Sequence, residues 1–253
     1  MGARPRWALL SLGVRSTHAM EELVELQTGL VDTLAADGAA LAGGNLVAVE
    51  GEEWLSLALF GETPRGRAWR RAGARPGDLI AVTGFPGRAG AGARLATRAE
   101  AGPQGPECRG LLDAWIRPTS RVNFALALAR LEAVTAAIDL SDGFAGDLVH
   151  LCEASGVGVD LEEEAWSMDP LLEHAARILG VGAEALAFGP SDDYELLLAV
   201  APDRRAACEE AAREHGVRLG FVGKATDRRG AIAWVDRGGR RRPFEGSGYD
   251  HFG

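Results

Sequence analysis

Carboxylates gather with hydroxyl groups at two places in the chain. The first is Asp139-Leu140-Ser141-Asp142-Gly143, with Asp147 and His150 following. Two carboxylates three positions apart, a hydroxyl between them, stand at the end of an apolar run; such hard oxygen donors suit Mg²⁺. Gly143 lets the backbone turn or approach a ligand closely. A helix starting there points its N–H groups at the same spot, which favours phosphate, and Asp147 lies one turn into it. The same spacing also describes an acidic helix cap, with Ser141 or Asp142 on the helix N-terminus and the other groups solvated, and such caps are common. The second place is Gly189-Pro190-Ser191-Asp192-Asp193-Tyr194-Glu195, ahead of the apolar Leu196–Val200. Three carboxylates at the mouth of a buried strand must bind something or face water. Gly43-Gly44-Asn45 is a third candidate, a glycine turn that either cradles phosphate or simply reverses the chain.

Other chemistries fail on inventory. His18, His150, His174, His215 and His251 are dispersed, with no HExxH or paired zinc spacing. No GxSxG elbow, GxxxxGK[ST] loop or well-placed GxGxxG is present. Twenty-seven basic against 36 acidic residues give a net charge of −9, which argues against non-specific nucleic-acid binding. An acidic chain that handles phosphorylated substrates needs cations to screen its own carboxylates. The three cysteines (Cys108, Cys152, Cys208) are scattered and odd in number, which excludes a disulfide framework and fits a reducing, cytoplasmic setting. No apolar run is long enough to cross a bilayer and none reads as a signal peptide. No membrane partner is expected.

These groups need elements to position them. Trp7–Val14 has strand length, and residues 17–36 follow a 3.6-residue apolar period, with Ser16 or Thr17 to cap the helix and Gly38 to close it. A short run 39–42 enters the glycine turn, and a strand at 54–60 follows. The basic, turn-rich stretch 63–78 reads as a seam, which places a boundary near residue 75. Beyond it, strands are expected at 79–84, 134–140, 157–161, 194–200, 217–223 and 231–235. Helices are expected near 88–98, from Pro118 through Leu131, and at 144–154, 170–180 and 203–215. A polar loop is expected around Pro103–Pro106. The order is α/β, of the mixed α+β kind, with a smaller domain over 1–75 and a larger one over 76–253.

In this order the motifs become recognisable, and the chain resembles the thiamine-monophosphate kinase family. That family shares a superfamily with aminoimidazole ribonucleotide synthetase and selenophosphate synthetase. Met1-Gly2-Ala3-Arg4-Pro5 is similar to the family's "AMGA-x-P", and Gly43-Gly44-Asn45 stands at its Gly-Gly-Asp. Gly66–Ala68, Arg71–Asp78 and Val82–Gly84 are similar to "GRA…RSGAKPGD…VTG", and Arg117-Pro118 through Arg121-Val122 to "RP-x-PR". Asp139–Gly143 with Asp147, Leu148 and His150 matches "DISDGL…DL-x-H"; Asp193–Leu197 matches "GGEDYELL"; Gly248–Phe252 matches "GYDHF". Each motif alone is weak, and seven in order are specific.

The resemblance implies a two-domain fold like that of aminoimidazole ribonucleotide synthetase, residues 1–75 being part of its N-terminal ATP-binding domain. It implies transfer of phosphate from ATP to thiamine monophosphate with Mg²⁺. Asp139 and Asp142 would be metal ligands. Gly44, Asn45, Arg71 and Ser141 would contact ATP, and Asp192 and Tyr249 the thiamine substrate. Family members pair as homodimers through strands of the N-terminal domain. The chain departs from the pattern in three respects. The family's early "GDDAA" and "TTD" motifs do not occur; Asn45 replaces a charged ligand; Pro190-Ser191-Asp192 replaces Gly-Gly-Glu. Two expectations follow: a shortened chain of an active kinase, or a diverged relative that binds nucleotide without efficient turnover. On either, the chain as it stands is expected to be a poor kinase.

Overall fold

The computed structural model describes residues 2–98, 105–246 and 248. The chain forms two compact units, Gly2–Ala68 and Trp69–Gly253.

In the first unit β1 (Arg4–Val14) leads through α1 (Met20–Ala36) to β2 (Ala40–Ala48), and β3 (Trp54–Glu62) follows. The sheet order is β2-β1-β3, with β1 parallel to β2 and antiparallel to β3. Leu30 and Leu34 of α1 pack on Ala8, Ala39 and Leu41. The helix begins three residues later than its apolar period suggests. Its N-cap is Ala19, without a side-chain hydrogen bond, so neither Ser16 nor Thr17 caps it. Gly38, at φ 78°, closes it as expected.

Gly43-Gly44-Asn45 is not a turn. The three residues lie inside β2, opposite Leu9, Leu10 and Ser11, just past an irregularity in the β1–β2 register. The reason is steric: a Cβ at residue 44 would sit 1.8 Å from the Leu10 carbonyl oxygen. Glycine here allows two strand backbones to close on each other.

The second unit holds β4 (Leu79–Thr83), α2 (Arg88–Ala96), α3 (Pro106–Ile116), α4 (Val122–Leu131), β5 (Val134–Asp139) and α5 (Phe144–Ser155). It continues with β6 (Gly158–Glu162), α6 (Pro170–Leu179), α7 (Ala183–Ala187), β7 (Leu196–Val200), α8 (Arg205–Glu214), β8 (Leu219–Thr226), β9 (Ile232–Val235) and β10 (Arg241–Pro243). Seven strands pair in the order β10-β9-β6-β8-β4-β7-β5, antiparallel throughout except β6 with β9.

Alternation along the strands supplies two cores. Ile80, Val82, Ala136, Ile138, Leu197 and Ala199 face Leu95, Leu111, Phe144, Leu148, Leu151 and Leu172. Ala81, Ala137, Leu196, Leu198 and Val200 face Phe124 and Leu128 of α4 and Cys208 and Ala211 of α8. Helices on both faces explain the unbroken apolar runs of β4 and β7. Two expectations are corrected. Pro118 does not open a helix; α4 starts at Val122, and Arg121 is its N-cap. Pro106, read as part of a loop, is the first residue of α3.

Candidate functional site

The two acidic motifs meet at one end of the larger sheet. Asp139 ends β5 opposite Leu196, which starts β7. Beyond that pair the main chains stay bonded: Tyr194 N–H donates to the Leu140 carbonyl and Leu140 N–H to the Glu195 carbonyl, both at 2.8 Å. The Asp139–Gly143 and Gly189–Glu195 segments are therefore a single structure. Gly143, at φ 101°, is where they touch: a Cβ there would lie 2.2 Å from the Gly189 carbonyl oxygen.

The carboxylates of the two motifs have different fates. Asp147, on the first turn of α5, is buried and accepts from the N–H groups of Ser141 at 3.0 Å and Asp142 at 3.1 Å. It fixes the loop, and neither Ser141 nor Asp142 caps the helix, whose N-cap is Gly143. Burial pushes the Asp147 carboxyl up, against its two amide donors, and the charges of Asp142 and Asp139 add to the rise. Asp193 is also buried; it accepts from Gly87 N–H at 2.7 Å and Ala89 N–H at 2.9 Å, and Ser191 Oγ accepts from Gly90 N–H at 2.8 Å. The loop thus satisfies the free amides at the start of α2, which has no cap of its own. Burial pushes Asp193 up as well. Glu195 takes both Arg121 Nε at 2.7 Å and Nη2 at 2.5 Å, together with the Thr83 hydroxyl. Hydrogen bonding to Glu195 raises Arg121.

Asp139, Ser141 and Asp142 are half-buried at the mouth of the loop, and Asp192 is exposed. His150 Nε2 stands 3.9 Å from Asp142 Oδ2. Arg71 has an exposed side chain on a segment running beside β5: the neighbouring Arg70 carbonyl accepts from Ala137 N–H, and Ser155 Oγ donates to the Arg71 carbonyl. Gly44 and Asn45 are exposed residues of β2 in the first unit. Tyr249 lies outside the described residues. The described residues contain no cluster of three metal-ligating side chains. That donor set still fits Mg²⁺, which takes one or two carboxylates and completes its shell with water and substrate phosphate. The like charges of Asp139 and Asp142, felt at Asp147, are what a cation would neutralise.

Sequence reasoning gave no role to Arg121 or Thr83 and read Glu195 only as one of three candidate carboxylates; their partnership spans 74 and 112 positions and leaves no local spacing to read. It also gave none to the neighbouring group at Phe85, where Arg218 stacks at 4.0 Å and Arg88 at 4.7 Å from the ring centroid. Arg88 Nε donates to buried Asp169 at 2.5 Å. Burial lowers the Arg218 guanidinium. No helix among the described residues is long and apolar enough to cross a membrane.

The seven-stranded sheet and its acidic edge define a class: residues 75–236 match the family model for AIR synthase related protein, C-terminal domain. The thiamine-monophosphate kinase of Salmonella typhimurium (strain LT2) is 33% identical over 256 residues, covering 100% of this chain and 75% of that protein. That of Rhodopirellula baltica is 32% identical, over 91% of this chain and 65% of the relative. A solved structure, AaThiL complexed with AMPPCP and TMP, superposes with a TM-score of 0.82 at 25% identity, over 99% of this chain and 75% of that one. The chain belongs to the thiamine-monophosphate kinase family.

Proposed function

We propose that the chain transfers the terminal phosphoryl group of ATP to thiamine monophosphate, forming thiamine diphosphate, and that it does so with Mg²⁺. The observation that carries this reading is the junction of the two acidic motifs at Leu140, Tyr194 and Glu195. A relative of the same fold complexed with AMPPCP and TMP supports both substrates. Phosphoryl transfer asks little covalent work of the protein; it asks for in-line positioning and for neutralised charge. Bound Mg²⁺ supplies that neutralisation at the phosphate oxygens. Asp139 and Asp142 would hold it, and Ser141 would contact ATP. Gly44, Asn45 and Arg71 are the remaining ATP contacts in this reading, and Asp192 and Tyr249 hold the thiamine substrate.

The reading extends to assembly. Trp7, Leu9, Trp54 and Phe60, which the β1–β3 register places on one face of the first unit's sheet, are exposed apolar side chains, 42% to 52% accessible. So large an apolar display marks an interaction surface, which supports homodimer formation through these strands.

A second reading is nucleotide binding with little turnover, favoured by Asn45, which lacks the charge of an aspartate, and by the short side chain of Asp192. One experiment decides between them. The purified chain is incubated with ATP, Mg²⁺ and thiamine monophosphate, product is quantified chromatographically, and Mg·AMPPCP binding is measured in parallel. Product formation that falls ~10²-fold or more in Asp142→Asn supports the kinase. Binding without product supports the second reading, and the absence of both refutes the two together.

A further inference from the structure

The ion pair between Arg121 and Glu195 lies outside the proposed ligand set, yet it is built into the same loop. Both side chains are mostly buried, 17% and 13% accessible. The guanidinium meets the carboxylate through two donors, a fork geometry that fixes orientation as well as charge. Thr83 closes the third side: its hydroxyl donates to Glu195 Oε2 and accepts from Leu196 N–H at 2.8 Å. Gly84 makes room, since a Cβ there would lie 2.0 Å from Glu195 Oε1. The Glu195 main chain, in turn, accepts from Leu140 N–H, between Asp139 and Ser141.

Backbone strain points the same way. Among the described residues only Glu132 and Tyr194 are non-glycine residues with positive φ, both at 52°. Glu132 ends α4, where a left-handed residue is ordinary. Tyr194 ends no helix. It is held between two anchored neighbours, Asp193 tied to α2 and Glu195 tied to Arg121. A strained residue persists only where its surroundings over-determine it.

We infer that Arg121 and Glu195 are positioning residues: their ion pair clamps the 192–195 loop and, through Leu140, sets the Asp139–Asp142 carboxylates relative to Asp192. The inference concerns the site of the proposed kinase and rests on that reading for its functional consequence. The clamp itself is a structural claim that can be tested without turnover. Replacing a buried ion pair with apolar residues of similar size often preserves stability, so Arg121→Met/Glu195→Leu separates positioning from simple stabilisation.

Hydrogen exchange at single amides is the first readout, made on the full chain. Protection at Leu140 and Tyr194 should fall at least ~10-fold, by local opening, while Ala81, Val82 and Leu197–Val200 keep theirs. The second readout is Mg·AMPPCP affinity, which should fall ~10–100-fold, as for other partners that orient ligand-binding carboxylates. Unchanged protection at Leu140 and Tyr194 overturns the inference, and so does a uniform loss across the sheet, which marks a merely stabilising pair. If the double variant does not fold, Arg121→Lys, which keeps the charge but loses the fork, must show the same local loss; if its protection matches the parent, the inference fails. Failure of the unsubstituted chain to bind Mg·AMPPCP counts against the kinase reading, and the exchange pattern still decides the clamp.

Discussion

Asp193 offers a direct measure of how firmly the site loop is attached to the body of the fold. Asp193→Ala removes the acceptor for two buried amides, Gly87 N–H and Ala89 N–H. An unsatisfied buried donor costs ~1–3 kcal/mol, and the two together would reach about 2–6 kcal/mol. Removing a carboxylate whose burial disfavours its charge returns part of this, leaving a net loss of about 2–4 kcal/mol. Asp193→Asn keeps one acceptor oxygen and should lose about half as much. The pH dependence has a definite sign. Because burial raises the folded carboxyl above its unfolded value of 3.8, the contribution of Asp193 is fully present below that value and declines as pH rises through the folded one. The gap between the parent and Asp193→Asn should therefore be wider near pH ~4 than near pH ~7. Urea unfolding at the two pH values, analysed by linear extrapolation, measures both quantities. A destabilisation of Asp193→Ala under ~0.5 kcal/mol, or a gap that widens with rising pH, would refute this account of the loop.

The remaining predictions concern single contacts. Gly44→Ala places a methyl against the Leu10 carbonyl and should force β1 and β2 apart, at a cost of ~1–3 kcal/mol or more; limited proteolysis should then cut within residues 2–68 and spare the rest. Gly143→Ala meets both a positive φ and the Gly189 carbonyl, so Mg·AMPPCP affinity measured by calorimetry should drop while circular dichroism stays near the parent's. Burial pushes the Cys152 thiol up to about 12 and the Cys208 thiol to about 11, and Cys108 is 1% accessible. All three should resist a thiol reagent near pH ~8 in the native chain and react after unfolding; a fast native reaction would show that these helices open readily.

Much of the larger sheet was legible because its strands are buried on both faces. Leu79–Thr83, Val134–Asp139 and Leu196–Val200 stand out as apolar runs bounded by turns, and their residues now line two cores. Elements whose cause is distant were not legible. The Gly43-Gly44 pair reads locally as a turn, and only the Leu10 backbone opposite shows why it is a strand. Pro103–Pro106 reads as a loop, and the helix that starts at Pro106 is set by Cys108 and Leu111 packing into a core assembled from other segments. Helix-opening proline was the right rule at Pro106 and the wrong one at Pro118.

The same limit governs the site, and there it sorts the residues by role. Spacing alone leaves the acidic groups of the two motifs equivalent candidates, and only the family resemblance singles out Asp139, Asp142 and Asp192. The fold distinguishes them by supplying donors to some and not to others. Asp147 receives two amides of its own loop, Asp193 two amides of α2, and Glu195 a guanidinium and a hydroxyl. A carboxylate with such partners is committed to the structure, because a ligand would have to displace them. Asp139 and Asp142 are half-buried and Asp192 is exposed, and the imidazole of His150 stands 3.9 Å from the Asp142 carboxylate. Asp139 and Asp142, whose like charges both act on Asp147, have charge available for an incoming cation. That division of labour, which no spacing rule could predict, supports the proposal of metal at Asp139 and Asp142 and substrate at Asp192, with Asp147, Asp193 and Glu195 holding the two loops in place.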